Sequence, residues 1–564
     1  MFKLKVFLRG PFSIAAIFTS FIAILKYPFD INWAAYDPPY HAIHSLSYVS
    51  DFSLKLPLFT YFSEYPTDPW FLHHIAIAAT YKLMNLFAYT DIMLAMQVFQ
   101  ILSVFLFTTT LLWAYKVFSN FINNQNQEIS YLNYFALLLT VFFFFEAFTV
   151  RAFFFERPHT LMISLTLLAA IAVAKRNYYL LFAVSLLAPL TYSFSFFVFI
   201  PLASFYLGWL LLNLNLKFPK KILKLSTTAV SGFLIGVFLH PGNIGYLING
   251  LGFHSFAIFQ SLFWWLPVQA GDLVIPAEMV FMTDNLPILY SLFVVILILI
   301  VKLLSEDKCF PGYNDAGFSK AYIAGWAGMS IILLVSSLLV LRTVEYATPF
   351  SVIAVFASLP LIISHSKKVW DDAFIGNETK VASFIKRIGE DLNKVLRFKK
   401  SLFTLLLFTT FICLTLSISK YLEFKGNITY TVNENKPAAE FLLENVLEDE
   451  VVLLSSFDIY PSLIYFAPNL NYSIGMDVRM VYFYDPALSL YNSAFFKTGE
   501  CYKECPYTQD EALQELKLRY NIGYVFVKYL EENIDEIDYF IDNSAFQLVF
   551  EDKEARVLIF KLKD

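Results

Sequence analysis

Long, uninterrupted apolar stretches dominate the chain as far as residue 424, each bounded by short clusters of charged or turn-forming residues. A hydrocarbon layer about 30 Å thick is crossed by about 20 residues of helix. Runs of this kind lie at about 11–27, 92–115, 131–147, 161–174, 178–192, 194–214, 225–240, 286–304, 321–341, 348–364 and 401–419, and they predict eleven membrane helices. From residue 425 the pattern changes. Helical periodicities at 438–447, 509–520 and 529–542 alternate with the strand-like runs VVLLSS, YVFV, FQLVF and ARVLIFKL. The fold class expected is mostly α: a polytopic membrane domain over residues 1–424, then an α/β domain over 425–564.

The opening MFKLKVFLRG sets Lys3, Lys5 and Arg9 ahead of the first run, with no small-residue cleavage motif behind it, so a retained helix with a cytoplasmic N-terminus is expected. Eleven crossings from that start place residues 425–564 outside the cytoplasm. Loop charge agrees: Lys175 and Arg176, Lys217, Lys220, Lys221 and Lys224, Lys302 and Lys308, and the basic stretch from Lys367 to Lys400 all fall inside. Within 365–400, Val381, Phe384, Ile385, Ile388, Leu392 and Val395 make an amphipathic pattern suited to the cytoplasmic membrane surface.

Composition sharpens this picture. Of 564 residues, 58% are hydrophobic, 18% aromatic and 15% charged, against about a quarter charged in soluble chains, which excludes an ordinary cytosolic enzyme. The net charge of −5 hides an asymmetry: residues 425–564 hold 24 acidic and 12 basic residues, whereas residues 1–424 hold 22 and 29. A separate acidic domain outside and basic loops inside follow, and no nucleic-acid partner is expected. Cys413 lies in an apolar run, Cys309 in an inner loop, and Cys501 with Cys505 is the one pair placed to bridge.

The outer loops collect the unusual polar residues. The first, residues 28–91, is far longer than packing requires, and long loops in compact proteins are usually functional. It holds AYDPPYHAIH, with Asp37, His41 and His44, and TDPWFLHH, with Asp68, His73 and His74. Each Asp-Pro also reads as the start of a short helix, with histidines decorating its surface. A metal site from Asp37, Asp68 and histidines such as His74 is chemically reasonable, although the spacing matches no recognised ligand motif. Two further groups follow: RAFFFERPHT, with Arg151, Arg157 and His159, and RTVEYATP, with Arg342, Glu345 and Tyr346. Arginine suits phosphate because its planar fork donates paired, charge-assisted hydrogen bonds. The alternative for both groups is an internal Arg–Glu pair.

Together these features resemble the GT-C superfamily of membrane glycosyltransferases, which use polyprenyl-phosphate-linked sugars at the outer face of the membrane. The likeness is one of layout over the whole chain, carried by DPPYH, DPWFLHH, RTVEYATP and a tail containing NKPAAEFLLEN and NYSIGMDVRMVYFYDPALSLY. The resemblance implies that Asp37, just past the first helix, is the catalytic carboxylate and Asp68 a second one. It departs from the oligosaccharyltransferase branch in having no WWDYG-type element in the tail, which argues against transfer of a whole oligosaccharide to asparagine.

The activity implied is an inverting glycosyl transfer from a lipid-phosphate-linked sugar to a glycan, lipid or protein acceptor. Such a donor already carries a competent leaving group, so the site needs a base and a phosphate clamp. Asp37 is the expected base. Asp68 orients the acceptor or holds a divalent cation such as Mg or Mn. Arg151, Arg157, His159, Arg342, Glu345 and Tyr346 surround the donor phosphate, with His41, His44, His73 and His74 in support. The competing class is a secondary transporter or lipid flippase, but transporters place ionisable residues near the bilayer midplane and often show repeated halves. Here the charges gather at helix ends.

Overall fold

The structure is a computed structural model that describes residues 11–26, 37–50, 68, 70–123, 131–143, 158–192, 195–213, 220–245, 248, 296, 316–337, 346–357, 432–456, 459–474, 485–496, 506–529 and 534–563. Outside them lie Arg151, Arg157, Arg342, Glu345, all four cysteines, the apolar run 401–419, nearly all of 286–304 and the amphipathic stretch 365–400.

The N-terminal part is helical: α1 (Pro11–Lys26), α2 (Asp37–Ser50), α3 (Phe71–Asn85), α4 (Ile92–Asn123), α5 (Tyr131–Phe143), α6 (His159–Lys175), α7 (Tyr178–Thr191), a 3-10 turn (Ser195–Phe199), α8 (Ile200–Asn213), α9 (Lys220–Leu239), α10 (Ala316–Ser337) and α11 (Tyr346–Ala357). Among the described residues, two helices are long and apolar enough to cross a membrane, Ile92–Asn120 and Ile222–Leu239; α6, α7 and α11 are shorter apolar helices. Every expected apolar run that falls within the described residues is helical. Their bounds shift: α4 runs on to Asn123 past the exposed Lys116, and α9 starts at Lys220. One exposed lysine ends an apolar run without disturbing the backbone ladder, which is indifferent to a side chain that reaches solvent.

Short connections with defined caps set helix directions. Arg176 adopts a left-handed conformation at φ 54° to end α6, and the Asn177 side chain accepts the Leu180 N–H to begin α7. Helices α8 and α10 touch backbone to backbone, because a Cβ on Gly208 would overlap the carbonyl of Ala321 and one on Gly325 that of Ser204.

Two ends of the bundle differ chemically. Lys175 lies over the Trp113 ring and Lys224 over Tyr178, so the ends of α6 and α9 that were expected to be cytoplasmic share one end. At their other ends stand His159 and His240. The sequence-based separation of lysines from histidines is therefore spatial.

The C-terminal domain contains a 3-10 turn (Val432–Asn435), α12 (Lys436–Asn445), β1 (Val451–Leu454), α13 (Tyr460–Phe466), β2 (Asn471–Tyr472), α14 (Pro486–Phe496), α15 (Gln509–Tyr520), β3 (Ile522–Lys528), α16 (Ile534–Asp542), β4 (Phe546–Asp552) and β5 (Val557–Leu562). The sheet order is β2-β1-β3-β5-β4, with β1 parallel to β2 and β3, and β5 antiparallel to β3 and β4. Central strands β1 and β3 are buried through nearly every residue, as a sheet covered on both faces requires. This domain rests on α2 through α13, and Tyr40 of α2 belongs to its core.

Candidate functional site

Helices α2 and α3 carry the first two outer-loop motifs and pack side by side. Helix α2 opens at Asp37-Pro38-Pro39; proline is tolerated in a first turn because its missing N–H would have no intrahelical partner there. His41, His44 and Tyr48 follow at spacings of three and four, which sets them on one face. Trp70 precedes α3 with no side-chain cap of its own, and Oδ1 of Asp68 accepts the Trp70 N–H at 2.8 Å. The Asp68 side chain therefore assists the helix start.

The other oxygen of Asp68 faces the histidines. Oδ2 accepts the Tyr48 hydroxyl at 2.9 Å, lies 2.7 Å from Nδ1 of His74 and 3.9 Å from Nδ1 of His44. Nε2 of His74 is in turn 2.8 Å from Nδ1 of His41. The rings of His44 and His74 stack with centroids 4.6 Å apart, and His73 meets His41 edge-on at 5.1 Å. Asp68, His41, His44, His73 and His74 are each at most 1% exposed. Both ring nitrogens of His44 are buried without a hydrogen-bond partner among the described residues.

Burial alone would raise the Asp68 carboxyl, but His74 beside it, their hydrogen bond, His44 and the Trp70 N–H together outweigh burial and hold it well below the usual carboxylate range. Burial, and then the neighbouring His74, push His44 down to about 3 against the opposing pull of Asp68. Burial and the Asp68 charge raise Tyr48. These surroundings favour the carboxylate form of Asp68, with Oδ1 bonded to the Trp70 N–H and Oδ2 turned toward Tyr48, His74 and His44.

Two neighbours seal the cluster. Tyr40 lies 5.5 Å from His41, 5.3 Å from His44 and 5.8 Å from Trp70 by ring centroids, with its far side in the C-terminal domain core. His240, past the end of α9, bonds through Nε2 to the Asp68 carbonyl oxygen at 2.8 Å. Neither was expected from the sequence, nor was Tyr48. Tyr48 could have been found by extending the helical spacing of His41 and His44, whereas His240 carries no local signal.

The other two outer groups are described in part. His159 opens α6 and sits 2.5 Å from the Tyr192 hydroxyl through Nε2. Tyr346, at the start of α11, is buried against Phe197 with centroids 4.0 Å apart. Tyr192 and Phe197 flank and form the 195–199 turn, so residues immediately following Arg157-Pro158 and Glu345 converge on one short segment. The side chain of Asp37 and all of Arg151, Arg157, Arg342 and Glu345 lie outside the described residues.

For a divalent ion, His44, Asp68 and His74 each offer a ligand atom, all within 4.8 Å of one another. Two imidazoles and a carboxylate suit Mn or another first-row transition ion better than Mg, which prefers oxygen ligands. Of the sequence-expected set Asp37, Asp68 and His74, the last two belong to this group with His44 as the third donor, while the Asp37 side chain lies outside the described residues.

No family model matches the chain, and no curated protein matches it in sequence. Among solved structures, the fold is similar to that of the archaeal oligosaccharyltransferase AglB from Archaeoglobus fulgidus, in complex with an inhibitory peptide and a dolichol-phosphate. The TM-score is 0.54 at 11% identity, and the match covers 92% of this chain and 69% of the other. At that identity the likeness is one of fold alone.

Proposed function

We propose that the chain is a GT-C-type membrane glycosyltransferase that moves a sugar from a polyprenyl-phosphate-linked donor to an acceptor at the outer face of the membrane. The observation carrying this reading is the fold shared along 92% of the chain with an enzyme whose structure holds a dolichol-phosphate and a peptide. Eleven crossings, a cytoplasmic N-terminus and an external C-terminal domain belong to the same proposal. The gathering of histidines and lysines at opposite bundle ends supports it.

In this reading Asp37 is the base. It opens α2 one helical turn before His41, at the edge of the buried cluster. It takes the proton of the acceptor hydroxyl as that oxygen attacks the anomeric carbon from the face opposite the lipid phosphate, inverting the centre. The bond to the phosphate oxygen breaks as the new glycosidic bond forms, and Arg151, Arg157 and Arg342 neutralise the charge left on phosphate. Asp68, through His74 and His41, fixes the helix that presents Asp37. The acceptor class remains glycan, lipid or protein, with the C-terminal domain serving as its binding surface or as a lid.

The test is transfer of labelled sugar from a polyprenyl-phosphate donor by the purified full chain and by Asp37→Asn. Loss of about 10²–10⁴-fold in rate with unchanged thermal melting is expected for a removed base. Full activity in Asp37→Asn sinks the base assignment; no transfer by the unaltered chain, with donor translocated across vesicles, favours the flippase class instead.

A further inference from the structure

The geometry points to a structural transition-metal site formed by His44, Asp68 and His74, which fastens the two outer-loop helices α2 and α3 together. This goes beyond the glycosyltransferase reading and does not depend on it.

Three observations converge. The donors lie on different elements, His44 on α2, His74 on α3 and Asp68 in the connection before α3, yet their ligand atoms fall within 4.8 Å of one another. A common ion with bonds of about 2.1 Å sets tetrahedral neighbours about 3.4 Å apart. The two measured separations bracket that value, at 2.7 Å for His74–Asp68 and 3.9 Å for His44–Asp68. Small ring rotations, opening one pair and closing the other, would bring all three onto one ion.

The second observation is the state of His44. It is fully buried, and neither ring nitrogen has a hydrogen-bond partner among the described residues. Leaving a buried polar group unpaired costs about 1–3 kcal/mol. A metal bond satisfies one of its nitrogens directly, and no described side chain does.

Third, the donors are held the way metal ligands are held. Oδ1 of Asp68 is fixed by the Trp70 N–H and Oδ2 by the Tyr48 hydroxyl, while the outer nitrogen of His74 is engaged by His41. Partners of this kind orient ligands and fix the imidazole tautomer. Because the three donors are at most 1% exposed, the site is closed to substrate. Its role is that of a rivet, and the nitrogen donors select zinc-like ions over Mg.

The experiment uses the full chain purified in detergent and treated with chelator, then titrated with Co²⁺ as a spectroscopic probe and with Zn²⁺ in competition. One equivalent of Co²⁺ should give visible ligand-field bands, be displaced by Zn²⁺ and ignore millimolar Mg²⁺; Zn²⁺ should also raise the melting temperature. His44→Gln and Asp68→Asn should weaken Zn²⁺ by at least about a hundredfold, whereas His73→Ala should retain it, its imidazole lying outside the donor set. Should the variants fail to fold, the titration of the unaltered chain still decides. Absence of bands and of any Zn²⁺ effect on melting overturns the site and leaves a hydrogen-bonded cluster, as does unweakened binding in both donor variants. Either failure would leave transfer activity, and so the proposed function, standing.

Discussion

His240 and Asp68 are separated by 172 positions, yet Nε2 of the His240 ring donates to the backbone carbonyl of Asp68 at 2.8 Å. Nδ1 of the same ring accepts the Gly242 N–H at 3.0 Å, so the two bonds together define one neutral tautomer. This ring ties the end of α9 to the loop that carries the candidate site. Replacing it with alanine strands a buried carbonyl and should cost about 1–3 kcal/mol. His240→Ala should therefore melt at lower temperature, and His240→Gln, which retains a terminal N–H, should recover part of the loss.

How much of this was readable beforehand depends on range. Asp68, His73 and His74 stood out because a carboxylate and two imidazoles beside an apolar run are costly unless partnered, and the structure buries all three together. Pairing His74 with His41, or His240 with Asp68, needed the fold. In the C-terminal domain, β1, β3, β4 and β5 follow from their alternating or continuous apolar residues. Helix α14 did not emerge from periodicity, although Asp485-Pro486 repeats the Asp-Pro start seen at Asp37 and Asp68, and Oδ1 of Asp485 accepts the Leu488 N–H at 3.0 Å. Helix α13 is seven residues long, too short for a period to register.

Acid should loosen the cluster in two stages. His44 drops from an ordinary value of 6.5 to about 3 on folding. The unfolded chain then binds more protons between those limits, so its contribution is fully present above about pH 6.5 and is lost as pH falls toward 3. For a shift of this size the loss is on the order of 3–5 kcal/mol. Asp68, held below the usual carboxylate range, adds stability above the ordinary carboxylate pKa and loses it at still lower pH. Asp68, His74, Tyr40 and Tyr48 are the titratable groups facing His44. Melting curves of chelator-treated protein from pH 7.5 to 4 should show the first stage, and His44→Gln should flatten it; an equal slope in both proteins would assign the titration to another group.

Tyr40 should couple the C-terminal domain to the cluster. It is fully buried, touches His41, His44 and Trp70, and forms part of the core that contains Tyr460 and Leu463. Deleting a buried aromatic ring costs about 3–5 kcal/mol. Tyr40→Ala should accordingly expose residues 432–563 to protease in the native protein, and Tyr40→Phe, which keeps the ring, should not. Equal protection of both variants would mean that α13 holds the domain without it.

The last expectation concerns the donor phosphate. His159 meets Tyr192, and Tyr346 packs on Phe197, so His159 and Tyr346 both lie against the 192–199 segment. In the proposed function Arg157 and Arg342, which precede His159 and Tyr346 by two and four positions, clamp a single phosphate together. Each charge-assisted contact is worth roughly 1.5–3 kcal/mol, or about ten- to hundredfold in affinity. Polyprenyl-phosphate binding should therefore weaken by that factor in Arg157→Ala and in Arg342→Ala, and further in the double variant. Lysine at either position should restore only part, because a point charge cannot reproduce the paired fork. Tyr192→Phe, which removes the hydroxyl partner of His159 but no charge, should weaken binding less than either arginine loss. Unchanged affinity in both arginine variants would assign them to structural ion pairs and move the phosphate elsewhere.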